Sequence, residues 1–114
     1  MSRATLSAAR SRRNFAPIFA ALGDETRLSL VSKLSGGEPH SISRLTEGTH
    51  LTRQAVTKHL NVLKDAHIVR SVKAGRESLY ELDPAPIREV RDYMDLVSGR
   101  WDAALARLKE LVED

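Results

Sequence analysis

Leu51-Thr52-Arg53-Gln54-Ala55-Val56-Thr57-Lys58-His59-Leu60-Asn61-Val62-Leu63-Lys64 decides how this chain is read. At 3.6 residues per turn, Val56, Leu60 and Leu63 fall on one stripe. Thr52, Arg53, Gln54, Thr57, Lys58, Asn61 and Lys64 occupy the other side, which carries almost no acid. Solvated helices usually mix both signs of charge. This face offers hydrogen-bond donors and fork-shaped side chains instead, which suit base edges and phosphates. Thr52 is an N-cap residue, so the helix should begin there and aim its positive dipole end outward beside Arg53 and Gln54. Taken alone the segment fits an ordinary surface helix equally well. The flanking sequence has to decide.

The chain has 114 residues, enough for one domain with one modest core. Lys and Arg number 18 against 15 Asp and Glu, a net charge of +3 that permits a polyanionic partner without demanding one. Placement says more: acids concentrate after Pro86, and the first half carries the uncompensated Arg and Lys. With no cysteine, disulfides, thiolate metal sites and thiol redox sensing are excluded. No apolar run approaches ~18 residues, and Arg3, Arg10, Arg12 and Arg13 precede no signal-peptide core. A cytoplasmic protein with no membrane partner is expected.

Upstream, Met1–Arg13 is small, polar and basic, either a frayed terminus or an arm for DNA phosphates or a partner subunit. A helix is expected over Asn14–Leu22, with Phe15, Ile18, Phe19 and Leu22 inward and Gly23 as its stop. Asp24 should cap a second helix, Glu25–Leu34, with Leu30, Val31 and Leu34 as its apolar stripe. After Gly36-Gly37-Glu38-Pro39, Ser41 can cap a short helix over Ile42–Glu47, with Ile42 and Leu45 inward. Gly48-Thr49-His50 then turns into the polar helix. Two helices across a short Gly-containing turn, the second polar and basic, have the composition of a helix-turn-helix.

Downstream the period changes. Ile68–Lys73 and Glu77–Leu82 read as strands joined through Ala74-Gly75-Arg76. Lys73 and Arg76 sit at the tip and Arg70 further back, as in the wing of a winged helix-turn-helix. Asp83-Pro84-Ala85-Pro86 interrupts the chain. Beyond it Ile87, Val90, Met94, Val97, Trp101, Ala104, Leu108 and Leu111 alternate steps of three and four, a heptad seam. Such a helix is longer than a small domain needs. Its seam packs either within its own chain or, as the surplus favours, on the same helix of a second copy. The organisation read here is a basic arm (1–13), a winged helix-turn-helix core (14–83) and a C-terminal dimerisation helix (84–114) within one mainly α domain with a β-hairpin wing.

Over about Phe15 to Val112 the sequence resembles the ArsR-type family of bacterial winged helix-turn-helix repressors. Phe19-Ala20-Ala21-Leu22-Gly23-Asp24-Glu25-Thr26-Arg27-Leu28 is similar to the family's L-x-D-P-T-R signature, with Glu25 where proline is usual. Val56-Thr57-Lys58-His59-Leu60-Asn61-Val62-Leu63 matches V-S-x-H-L-x-x-L. Ile68-Val69-Arg70, Gly75-Arg76 and Leu79-Tyr80-Glu81-Leu82 match the wing. The resemblance implies a homodimer on a palindromic duplex-DNA operator, with Thr52–Asp65 in the major groove. Arg53 and Gln54 would read base edges. Thr52, Thr57 and Lys58, with His59 and Asn61, would hold phosphates, and Lys73 and Arg76 would touch phosphates or the minor groove, with Arg70 behind them. His59 also reads as a packing residue beside Leu60.

Many family members sense metals, and this sequence departs from them. His40-Ser41-Ile42-Ser43-Arg44-Leu45, which matches the thiolate site, has no cysteine, and no histidine follows His67. His40 and His50 lie beside turns. No metal or cofactor is expected; an organic effector between helices or no effector at all remain open. No nucleophile elbow, Gly-rich phosphate loop or paired catalytic carboxylates are present, so an enzyme is not expected. A winged helix for a protein or RNA partner is the other reading. It lacks the aromatic and Met anchors of a protein hot spot and the exposed aromatics RNA stacking favours.

Overall fold

Local capping chemistry sets the helix starts. Asp24, Ser41 and Thr52 are all extended, and each side-chain oxygen accepts the backbone N–H three residues on, from Arg27, Arg44 and Ala55 at 3.0–3.1 Å. The computed structural model describes residues 14–113. Residues 14–22 form helix α1, and Gly23 closes it through a bond from its N–H to Ala20. Then follow α2 (Glu25–Leu34), β1 (His40–Ser41), α3 (Ile42–Thr46), α4 (Arg53–Asp65), β2 (Val69–Ala74), β3 (Glu77–Leu82) and α5 (Pro84–Glu113). The chain divides into two compact units, one ending at Pro84 and the other starting at Ala85. The reading of Met1–Arg13 lies outside the described residues.

In the first unit, Ile18 and Ala21 of α1, Leu30 and Leu34 of α2, Leu45 of α3 and Val56, Leu60 and Leu63 of α4 are buried. Ile68, Val69 and Tyr80 close the core from the sheet side. Core burial of this kind contributes about 1.5–3 kcal/mol per large side chain before ordering costs. Five inward assignments change. Phe19 is 41% exposed, because α1 turns Ile18 and Ala21 inward and leaves its larger neighbour at the rim. Phe15, Leu22, Val31 and Ile42 are only half-buried.

The three strands form an antiparallel sheet in the order β1-β3-β2. β1 was not expected from the sequence; its two residues pair with Tyr80 and Leu79 and tie the start of α3 to the wing. β2 runs one residue later than expected and α3 one residue shorter, with Glu47 as its cap. In the wing, Ala74 pairs with Glu77, so Gly75-Arg76 is a two-residue loop. Gly75 has φ +65 while Arg76 does not go positive, the type II′ pattern that carries glycine first. That turn puts Arg76 at the extreme tip.

The end of α4 is a Schellman cap: Ile68 N–H reaches Leu63 O and His67 N–H reaches Lys64 O, both at 2.9 Å. The residue that must go left-handed is His67, with φ +63, where glycine is usual. A left-handed residue with a Cβ costs roughly 1–2 kcal/mol, part of which glycine returns through its freer unfolded chain. Since His67 is exposed and packs nothing away, His67→Gly should raise the urea-unfolding free energy by about 0.5–1 kcal/mol. A loss of stability in that titration would contradict the strain argument.

The second unit holds the body of α5, a helix of 30 residues that begins at Pro84 and is ~45 Å long at 1.5 Å per residue. It runs through Gly99 as continuous helix, and a Cβ there would meet nothing within 4 Å. Of the seam, Val90 is buried and Ile87, Val97 and Ala104 are half-buried, while Met94, Trp101, Leu108 and Leu111 are exposed. Leu105 and Val112, also exposed, fall on the same stripe and widen it.

Candidate nucleic-acid interface

The N-terminal half of α4, the start of α3 and the wing surround one open cleft of about 600 Å³. Arg53, Gln54, Thr57 and Lys58 line it from α4; Ser41, Ile42 and Ser43 from the β1–α3 junction; Arg76, Glu77 and Ser78 from the hairpin. Three cations and one amide therefore converge there against one carboxylate. Arg53, Gln54, Lys58 and Arg76 make no side-chain hydrogen bond or ion pair with another described residue. Their donors face solvent, and Arg53, Gln54 and Lys58 project from the positive end of α4. The arrangement can take a strip of acceptors or phosphates laid across it.

Hydroxyls divide by what their protons already do. Thr52 Oγ1 accepts the Ala55 N–H, which leaves its own proton free to donate to an anion. Thr57 Oγ1 donates to Arg53 O at 2.7 Å, so its proton is spent within the helix. Thr57 can accept from a neighbour or pack, but as it stands it does not donate to a phosphate.

Several residues expected at the interface stand apart from the cleft. Asn61 is on the same exposed face of α4, one turn beyond Thr57 and Lys58, outside the lining. Lys73 shares a face of the hairpin with Ser78, its cross-strand partner, but lies on the outer strand. Arg70 is on the opposite face, with its Nε bonded at 2.8 Å to Glu81, its cross-strand partner. That pairing neutralises it and turns it away from the cations at the tip. The His59 ring points at α2, 3.2 Å from Arg27 and 3.8 Å from Asp24. Ser41, Ile42, Ser43, Glu77 and Ser78 were not anticipated; α3 packs directly on α4, and the pairing of β1 with β3 brings the hairpin alongside.

Asp24 is held ionised. The N–H of Arg27 lowers its pKa below the ordinary 3.8, against some desolvation, and the Arg27 charge adds to the effect. A carboxyl whose folded pKa is depressed stabilises above its unfolded value, and loses that contribution as pH falls through the folded one. Unfolding free energy should thus decline below about pH 4 more steeply in the parent than in Asp24→Asn, which keeps the cap acceptor. Parallel declines in urea titrations at successive pH values would remove Asp24 from the account.

Among the described residues, no three His, Cys, Asp or Glu side chains gather where they could hold a metal ion, and no helix is long and apolar enough to cross a membrane. Residues 22–72 match a family model described as a helix-turn-helix domain. The chain is 34% identical over 93 residues to the HTH-type transcriptional regulator Rv2034 of Mycobacterium tuberculosis, covering 82% of this chain and 83% of that one. Its structure is similar to that of an ArsR-like transcriptional regulator from Rhodococcus sp. RHA1, with a TM-score of 0.80 at 35% identity over 92% and 95% of the two chains. A homodimeric winged helix-turn-helix DNA-binding domain from Mycobacterium bovis shares the fold at 16% identity, with a TM-score of 0.64 over 87% and 88%.

Proposed function

Because the chain belongs to the ArsR-type winged helix-turn-helix family of transcriptional regulators, we propose that it acts as a homodimeric repressor on a palindromic operator. Each α4 enters a major groove, with Arg53 and Gln54 reading base edges through their forked groups. Lys58, Thr52 and Arg76 hold the flanking phosphates, and Ser43 and Ser78 add neutral donors on the other walls of the cleft. Arg70, bound to Glu81, has no direct part. The observation that carries this reading is the convergence of Arg53, Gln54, Lys58 and Arg76, all uncommitted, on one cleft at the start of a helix.

Pairing supports the palindrome. A single α4 reads only a few base pairs; two related by a two-fold axis read two half-sites about one helical turn apart. The exposed stripe of α5 supplies a surface for that pairing, and the related fold from Mycobacterium bovis is described as homodimeric. Selection of bound duplexes from a random pool, followed by gel-shift titration, tests the reading. Enrichment of an inverted repeat is expected; indifference to sequence across salt concentrations would sink it.

A further inference from the structure

Two polar motifs far apart in sequence meet between the helices. Arg27, in the first turn of α2, donates from Nε to Ala21 O at the end of α1, at 2.5 Å. Its Nη1 lies 3.2 Å from Nδ1 of His59, midway along α4. A guanidinium has donors only, so Nδ1 is the acceptor and the neutral ring carries its proton on Nε2. Asp24 steers the same group: its Oδ2 accepts the Arg27 N–H at 3.0 Å and stands 3.8 Å from Nδ1, too far for a hydrogen bond.

This linkage does something the apolar core does not. Val56, Leu60 and Leu63 hold α4 against the core by contacts that have no direction. Such contacts fix the distance of a helix better than its roll about its own axis. A roll of ~10° moves an atom ~6 Å from the axis by ~1 Å, enough to spoil a bidentate base contact. The rigid, planar fork of Arg27 spans a fixed carbonyl on α1 and a ring on α4, and that geometry is directional.

We propose that Arg27 and His59 are a positioning pair that sets the roll of α4, so that base discrimination depends on two side chains turned away from the cleft. The inference rests on α4 being the DNA-reading helix. It also gives the His59 of the recognition-helix motif a role other than phosphate contact.

The test uses the full chain, a duplex selected from the random pool and a random duplex, with affinities from fluorescence anisotropy. His59→Leu should cut the ratio of selected to random affinity about tenfold, with random-duplex affinity little changed. His59→Asn, whose amide oxygen can stand near the Nδ1 position, should restore most of the ratio. Arg27→Gln should lower it too, and the double variant should be no worse than the more damaging single one. An unchanged ratio in His59→Leu, no rescue by Asn, or equal losses on both duplexes would overturn the positioning role. Should His59→Leu not fold, imidazole nitrogen NMR of the parent decides: Nδ1 bare and perturbed by Arg27→Gln supports the pair, and a proton on Nδ1 overturns it. A parent with no preference for any duplex defeats the DNA reading itself, and the pair with it; a parent that discriminates while His59→Leu does so equally well defeats the pair alone.

Discussion

Trp101→Glu is expected to sediment as a monomer and to lose affinity for a two-half-site operator by ~10²–10⁴-fold. Trp101 is 66% exposed in the single chain, and Met94, Leu105, Leu108, Leu111 and Val112 continue its stripe along α5. A run of exposed apolar side chains this long is unusual on a chain that stands alone. A carboxylate at an exposed helical position changes the stability of a lone chain by about 0.5 kcal/mol or less. Inside a dimer seam the same carboxylate is desolvated without a partner, a cost of several kcal/mol. The substitution therefore separates association from folding. Far-UV circular dichroism should show α5 retained while the sedimenting mass halves.

Affinity follows from geometry. Once one half-site is bound, the second α4 of a dimer binds at high effective concentration; a monomer forfeits that gain and keeps only the single-site contacts. Leu96→Glu is the matched control, since Leu96 is 55% exposed but lies off the stripe. It should leave mass and operator affinity alone. A dimeric Trp101→Glu with Leu108→Glu also dimeric, or a parent that sediments as a monomer, would refute the seam.

What could be read without coordinates follows a physical division. Asp24, Ser41 and Thr52 were legible as caps because capping is settled within three residues. Leu60 and Leu63 were legible as core because a helix fixes its own faces. The cleft required long-range pairing. β1 is two residues long and has no period of its own; it exists because Tyr80 and Leu79 offer it a partner. Ser78 comes to share the cleft with Ser43 of α3 through that pairing. Arg70 shows a signal that was present but unused. With Gly75-Arg76 as a two-residue loop, the ladder pairs Arg70 with Glu81 and sets them on the face opposite Tyr80 and Ser78. A cation opposite an acid in register belongs to the sheet before it belongs to a phosphate. His59 could not be placed from α4 alone, because its partner comes from α2.

Arg53→Ala is expected to cost about 1–3 kcal/mol for each half-site on the selected operator and to relax base preference at one position of each. The reason is the character of the group. Arg53 follows the Thr52 cap directly, is exposed, and has no committed partner among the described residues, so its fork is free to take the two acceptors of a guanine edge. Arg76 and Lys58 carry the same charge in the same cleft but are assigned to phosphates, which have no sequence. Arg76→Ala should weaken selected and random duplexes alike and lower the slope of log affinity against log salt by about 1 per subunit. Arg53→Ala should change the rank order of half-site variants, and Arg76→Ala should preserve it. Affinities across all single-base variants of one half-site, at two salt concentrations, tell these apart. If both substitutions scale every variant equally, Arg53 is another phosphate clamp, and readout falls to Gln54 with the roll that Arg27 and His59 impose.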